Sequence, residues 1–146
     1  MFIYEFCVLL CMQQIIIRQL EKPREKDVHG DIDWMCNSFG LSSGRDISAT
    51  APRIFYDLLE RVAREMRVPS EAIAEDLLLN QAIVNHHIRN FANSGIVYRE
   101  RKLICLRGGS VKSAVEELRK DANRMFDDIG VIAEEIDVML GLKNRE

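Results

Sequence analysis

The sequence lacks the short motifs by which many enzyme active sites are recognised. It contains no glycine-rich phosphate loop, no nucleophile elbow and no His-Glu-x-x-His run. Two acidic pairs, at residues 127–128 and 134–135, lie within a long helical pattern and are most simply part of its polar face. We therefore predict that the protein is not an enzyme and uses no cofactor.

Cysteine is also scarce, and its spacing does not indicate a metal site. No Cys-x-x-Cys pair is present, and no second pair follows Cys7 and Cys11 at zinc-finger spacing. We expect buried, reduced thiols in a cytoplasmic protein that binds no metal. One alternative stays open, which is a redox or metal sensor that combines Cys36 with Cys105 or a histidine.

The apolar run at residues 1–12 does not have the properties of a membrane anchor. It is too short to span a bilayer, and it lacks the basic leading segment and the cleavage site of a signal peptide. We therefore expect no membrane partner. Our hypothesis is that translation begins at Met12; the alternative is that the run forms an apolar helix or strand within a dimer interface.

Residues 1–45 are predicted to form an N-terminal extension. After the apolar start, residues 14–20 have the composition of a strand. Residues 31–39 predict a short helix that is capped by Asp31, and the serine- and glycine-rich residues 41–49 predict a connecting loop.

The segment 80–95 carries the strongest functional pattern in the chain. Asn80 can cap a helix by accepting a hydrogen bond from an unpaired backbone N–H, and Gly95 ends that helix. Apolar positions at helical spacing predict one inward face, made by Ile83, Val84, His87, Ile88 and Phe91. The other face carries side chains that can read base edges or hold phosphates, namely Gln81, Asn85, His86, Arg89 and Asn90. We expect Asn80 through Asn90 to enter the major groove of DNA.

Two helices are predicted upstream of this segment. Residues 52–66 have an amphipathic pattern with Thr50 as the cap, and residues 70–79 predict a shorter helix with Ser70 as the cap. The shorter helix ends directly before Asn80, so the two helices must meet at a tight turn.

A β-hairpin is predicted downstream. Two strand-like runs, at residues 96–99 and 102–107, flank a turn at Glu100-Arg101. Residues 46–108 together therefore predict a winged helix-turn-helix domain, which is a mainly α fold with a small β-hairpin wing.

The local charge favours double-stranded DNA as the partner. Between residues 81 and 107 a single anion, Glu100, is accompanied by five cations, which are Arg89, Arg99, Arg101, Lys102 and Arg107. The formal net charge of the whole chain is −3, but phosphates respond to the local patch. We expect Arg99, Arg101 and Lys102 to contact the DNA backbone.

Residues 109–146 predict a long helix that mediates dimerisation. Apolar residues alternate at spacings of four and three, as in a coiled coil: Val111, Val115, Leu118, Ala122, Met125, Ile129, Ile132, Ile136 and Met139. One such helix cannot bury its own seam, and helix-turn-helix proteins typically bind two-fold sites, so we favour a homodimer. The alternative is a helix that lies across its own domain.

Three runs carry a resemblance to a known family: Ile-Ala-Glu-Asp-Leu at residues 73–77, Asn-Gln-Ala-Ile-Val-Asn-His-His-Ile at 80–88 and Ser-Gly-Ile-Val at 94–97. Through these runs, residues 55–107 resemble the winged-helix domain of ArsR-type transcriptional regulators, especially archaeal members with a long C-terminal helix. The resemblance implies a dimeric, sequence-specific DNA-binding regulator.

The chain departs from this family pattern in two places. Members usually carry a glycine in the turn between the two helices, where this chain has Leu78 or Leu79, and a larger residue must accept a less favourable backbone conformation. The cysteine-rich metal-sensing box of some members is absent from the helix before the turn. The resemblance therefore supports DNA binding but not metal sensing at that position.

Two other functions stay open at this point. The winged helix could serve as a protein-interaction module that docks partners on the long helix. The protein could also be a ligand-responsive sensor, whose effector pocket would lie between the winged core and the N-terminal segment.

Overall fold

The computed structural model describes residues 12–42 and 49–145. The predicted apolar start at residues 1–11, with Cys7 and Cys11, and most of the predicted loop at 41–49 lie outside these residues. Within them the elements run in the order α1 (Val28–Ser38), α2 (Thr50–Glu65), β1 (Arg67–Pro69), α3 (Ser70–Leu77), α4 (Gln81–Ser94), β2 (Val97–Glu100), β3 (Leu103–Leu106) and α5 (Val111–Leu140). The expected mainly helical fold with a small β-structure and a long last helix is confirmed.

The sheet has three antiparallel strands in the order β1-β3-β2. Strand β1 was not predicted, because it has only three residues and directly follows α2. The hairpin turn lies one residue later than predicted, since Glu100 still pairs with Leu103. The turn residues are Arg101 and Lys102, with φ of 51° and 68°. Positive φ at both central residues gives a turn whose twist matches that of the flanking strands.

The core lies where α2, α3, α4 and the sheet meet. Phe55 of α2 and Phe91 of α4 pack edge to face, with ring centroids 5.5 Å apart. Buried side chains from α1 and from the first half of α5 extend this core, so residues far apart in the chain share it. The side chains of Cys36 in α1 and Cys105 in β3 are buried, as expected.

Three predicted helix caps need correction. Helix α1 begins at Val28, and its cap is Asp27, which accepts a hydrogen bond from the Gly30 N–H at 3.1 Å, rather than Asp31. Helix α2 begins at Thr50 itself, after Ala49, which makes no side-chain capping bond. Helix α3 likewise begins at Ser70, directly after Pro69, so the serine is its first residue rather than its cap.

The predicted strand at residues 14–20 does not form. The segment pairs with no strand among the residues that the structure describes, and instead it donates to carbonyl groups at the ends of two helices. The Gln14 N–H donates to the Asn93 carbonyl of α4 at 3.0 Å, and the Arg18 N–H donates to the Ser38 carbonyl of α1 at 2.8 Å. The last four carbonyl groups of a helix have no hydrogen-bond partner within the helix. They can therefore accept hydrogen bonds from the backbone of an extended segment that passes beside them.

Helix α5 divides into two halves with different surroundings. In the first half Ala114 and Leu118 are buried in the core of the same chain, and Val111 packs against that core. Leu118 is therefore covered by the core of its own chain, whereas Val111 is only half-buried there, and the contact of this helix with a second subunit stays a prediction. In the second half the predicted seam is exposed, at Ile129, Ile132, Ile136 and Met139.

Candidate nucleic-acid interface

Helix α4 presents one buried and one exposed arc. Val84, His87, Ile88 and Phe91 are buried, as predicted, and Ser94 joins them. Ile83 is an exception, because its side chain is 44% exposed although it was predicted to face inward. The exposed arc comprises Ala82, Ile83, His86, Arg89 and Asn93, with Asn90 half-buried at its border.

The start of α4 is capped as the sequence predicts. The Asn80 side-chain oxygen accepts a hydrogen bond from the Ala82 N–H at 2.8 Å. The preceding turn passes through Leu78, which has φ of 55° and is 92% exposed. A leucine therefore takes the left-handed conformation that glycine usually takes, and the tight turn between the helices is kept.

Gln81 and Asn85 are held in place rather than free on the exposed arc. The Gln81 amide donates to the Ser70 hydroxyl at 2.8 Å and to the Asn85 side-chain oxygen at 3.2 Å. The same Asn85 oxygen accepts a hydrogen bond from Arg99 of β2 at 3.3 Å. These bonds fix the flank of α4 against α3 and the hairpin. They also leave His86 and Arg89 as the most accessible of the predicted polar readers.

The hairpin places cations beside this flank. Arg99, Arg101 and Lys102 are all exposed. The single acid of the hairpin, Glu100, forms an ion pair with Arg67 of β1 at 3.2 Å. Because α4 itself contains no acidic residue, the surface made by α4 and the hairpin is electropositive.

Arg107 does not belong to that surface, although it is one of the five cations between residues 81 and 107. Its guanidinium donates to both carboxylate oxygens of Asp121 in α5. Arg124 donates to the same carboxylate, and so does Gln13, at 2.8 Å. The hydrogen bond from Arg107 is the main reason that the pKa of Asp121 falls to about 2, against the penalty of its burial.

This Asp121 cluster holds the C-terminal end of α4. The Gln13 amide that donates to Asp121 also donates to the Ser94 carbonyl at 3.0 Å. Gly95 turns the chain there with φ of 93°, and a Cβ on it would overlap the Gln13 amide and approach Leu118 to 3.2 Å. The Ser-Gly run at residues 94–95 is thus a structural element of the turn.

Asp121 is only 3% exposed, although aspartate is mostly found at protein surfaces. One signal could have identified it. Asp121 follows Ala114 and Leu118 at spacings of seven and three, so it lies on the same helical stripe as two residues that are buried.

A second buried carboxylate connects α2 to α3. Arg61 donates to Asp57 at 2.9 Å and to the Ala72 carbonyl at 3.2 Å, and it lies 3.7 Å from Asp76. Burial raises the pKa of Asp57 to about 6, and the Asp76 carboxylate beside it adds to the increase. Arg61 therefore has a structural role on α2, whereas Arg53 of the same helix is exposed.

An open cleft of about 530 Å³ lies between the N-terminal segment, the end of α4, β2 and α5. Its lining includes Met12, Gln13, Tyr98, Arg107, Asp121 and Arg124. The cleft combines apolar surface with two guanidinium groups that share one carboxylate.

Other classes of site find little support in residues 12–42 and 49–145. No group of three or more His, Cys, Asp and Glu side chains there is placed to hold a metal ion. None of the helices in this part of the chain is both long and apolar enough to span a membrane. Comparisons of the chain with protein-family models, with curated proteins and with solved structures found no match.

Proposed function

We propose that the protein is a homodimeric winged helix-turn-helix regulator that binds double-stranded DNA. The order of elements supports this proposal: α2, β1, α3, α4 and the β2–β3 hairpin follow one another as in a winged helix, with α4 as the recognition helix and the hairpin as the wing. One observation carries most of the weight. The exposed arc of α4 combines His86 and Arg89 with no acid, beside a cationic hairpin.

Different groups on this surface would contact the bases and the phosphates. Arg89 and His86 would reach base edges or phosphates from the exposed arc, with Asn90 at its border. Gln81 and Asn85 would act from the flank, where their bonds to Ser70 and Arg99 limit their freedom. Arg99, Arg101 and Lys102 would hold backbone phosphates, which sets the position of the protein on the duplex.

The second half of α5 would supply the dimer contact. Its predicted seam is exposed in the single chain, and it is a continuous stripe with heptad spacing. A second copy of the chain would bury this stripe and bring a second recognition helix to the DNA. Repression by occluding a promoter is the simplest outcome of such binding.

Fluorescence anisotropy with duplex DNA from upstream of the gene tests the proposal. Binding should be tight at about 50 mM salt and should weaken steeply by about 200 mM, because phosphate contacts release counterions. Arg89→Ala should weaken binding about tenfold or more and reduce sequence preference. Arg24→Ala is the matched control, since Arg24 is an exposed arginine on the N-terminal segment, and it should bind like the wild type.

The same titration separates this proposal from a protein-interaction module. A folded dimer that fails to bind any duplex at low salt would contradict DNA binding. Docking of a protein through the apolar stripe of α5 would instead be insensitive to salt, and it would be lost on Ile132→Glu and kept on Arg89→Ala.

A ligand-responsive mode of the same regulator is the second candidate, and the cleft favours it. The cleft touches the end of the recognition helix, the N-terminal segment and α5, so a ligand there would contact the groups that hold the C-terminal end of α4. A thermal-shift series with small carboxylates, metals and thiol oxidants tests this candidate. A stabilising compound whose effect is lost in Arg124→Ala would support the cleft as its site.

A further inference from the structure

The exposed arc of α4 is not uniformly polar at its start. Ile83 is 44% exposed and Ala82 is exposed as well, in the first turn of the helix. An isolated apolar side chain on a surface needs no explanation. Here, however, two of them lie together on the arc that also carries His86 and Arg89, three to seven residues further along the same helix.

Whatever covers this arc must therefore be apolar at one end and able to accept hydrogen bonds beside it. It must also be anionic around its edges, because the arc contains no acid and the hairpin cations lie on its flank. The major-groove edge of an A·T pair next to the phosphate backbone has this combination: thymine offers a C5-methyl group and O4, and adenine offers N7. A protein partner with a matching acidic rim is the other possible occupant, and the experiment below distinguishes the two.

We propose that Ala82 and Ile83 contact thymine methyl groups in the major groove and thereby favour thymine at the bases they face. The inference rests on the proposed DNA binding and adds to it the type of base that the first turn of α4 reads. Gln81 and Asn85 are turned to the flank by Ser70 and Arg99, whereas Ala82 and Ile83 are exposed in the first turn of α4.

Replacing thymine by deoxyuracil removes the methyl group and leaves the hydrogen-bonding pattern of the base unchanged. A duplex selected for tight binding from a random library would carry this replacement at one thymine at a time, and anisotropy would give each Kd. Burial of one methyl group corresponds to about a fourfold change in Kd. We expect one or two thymines per half-site to show that loss with the wild-type protein.

The protein variants assign the loss to a side chain. In Ile83→Ala at least one of these thymines should become insensitive to the replacement, because the contacting atoms are gone. Lys102→Ala is the control, since a lost phosphate contact should weaken binding to every duplex and leave the methyl effect at about fourfold. Ile83 is partly exposed in α4, and a thermal melt that matches the wild type would show that the variant is folded.

Each outcome decides a separate point. Salt-sensitive binding with no effect of any deoxyuracil replacement would overturn the inference and leave the DNA-binding proposal intact. The inference would also be overturned if both Ile83→Ala and Ala82→Gly kept the methyl effect at its wild-type size, because other residues would then contact the methyl group. Absence of binding to any duplex by the folded protein would remove the proposed function and the inference together, and it would favour a protein partner on this arc.

Discussion

Two buried carboxylates hold elements around α4 in place, and their pKa values shift in opposite directions. At the C-terminal end, Asp121 is surrounded by Arg107, Arg124 and the Gln13 amide, and its pKa is lowered to about 2. Between α2 and α3, which precede α4 in the chain, Asp57 and Arg61 form the second cluster, and the pKa of Asp57 is raised to about 6. Both side chains are nearly inaccessible to solvent, so burial alone does not decide the direction of the shift.

The difference lies in the neighbours of each carboxylate. Asp121 receives hydrogen bonds from two guanidinium groups and an amide, which together outweigh the cost of removing its charge from water. Asp57 has one guanidinium and a second carboxylate, Asp76, close by, so burial and the like charge prevail. The attachment at the C-terminal end of α4 should therefore be constant near neutral pH, whereas the connection between α2 and α3 should depend on pH.

Removing Asp121 should have the largest effect. Asp121→Ala leaves Arg107 and Arg124 beside each other without their shared carboxylate and frees Gln13, so we expect a loss of about 3 kcal/mol in the free energy of unfolding. Urea denaturation at neutral pH measures it. Asp128→Ala, seven residues further along α5 at an exposed position, should change stability by less than about 0.5 kcal/mol. Equal effects of the two substitutions would contradict the role of the cluster.

A methyl group at Gly95 should disrupt the hydrogen bonds by which Gln13 joins Asp121 to the C-terminal end of α4. Gly95→Ala combines an unfavourable left-handed backbone with a Cβ that displaces the Gln13 amide, and we expect a loss of about 2 kcal/mol. Gly130→Ala is the matched control: this glycine lies within α5 with open space around it, so alanine should stabilise the helix by up to about 1 kcal/mol. A neutral Gly95→Ala would show that Gln13 is not needed at this end.

The connection that Asp57 makes between α2 and α3 should respond to pH. Its folded pKa of about 6 lies above the ordinary value of 3.8, so the folded state takes up a proton as the pH falls through 6, and stability rises there. Between about pH 7 and about pH 4.5 this contribution should reach about 2 kcal/mol. Asp57→Asn cannot take up that proton, so the wild type should gain stability relative to the variant as the pH falls. Parallel pH profiles would contradict the raised pKa.

The Asp121 end should behave in the opposite way. Its folded pKa lies below 3.8, so its contribution is fully present above that pH and is lost as the pH falls from 3.8 towards 2. A wild-type profile that is measured down to about pH 2.5 should therefore show a gain at mild acidity followed by a loss, and Asp121→Asn should lack most of the loss.

The smallest effect should come from the turn before α4, where Leu78 tests backbone strain without changing the contacts of the Asp57 cluster. Leu78→Gly removes the penalty of a side chain at φ of 55°, and we expect a gain of up to about 1 kcal/mol. Leu78→Ala removes the same exposed side chain but keeps the Cβ, so it should change little. Thermal denaturation of the two variants measures the difference, and equal melting temperatures would contradict strain at this residue.

Local features of the sequence determined helix α4 and the hairpin that follows it. Helix α4 is defined by three local features, which are the Asn80 cap, the buried stripe from Val84 to Phe91 and the end at Gly95. Each feature depends on residues within a few positions of one another, so the sequence pattern predicts it. Ile83 was assigned to the wrong face because it borders the apolar stripe, and only packing shows on which side of the border a residue lies.

The attachments of α4 could be decided only by the tertiary structure. Gln13 and Asp121 are 108 residues apart, and nothing in the composition around either residue points to the other. The same holds for β1, which exists because β3 offers it a partner, and for residues 14–20, which bond to helix ends instead of forming a strand. Periodicity likewise predicted a single apolar seam along α5, but the core covers only its first half. Helical periods and caps are short-range properties of a chain, whereas burial and ion pairing depend on which distant segments meet.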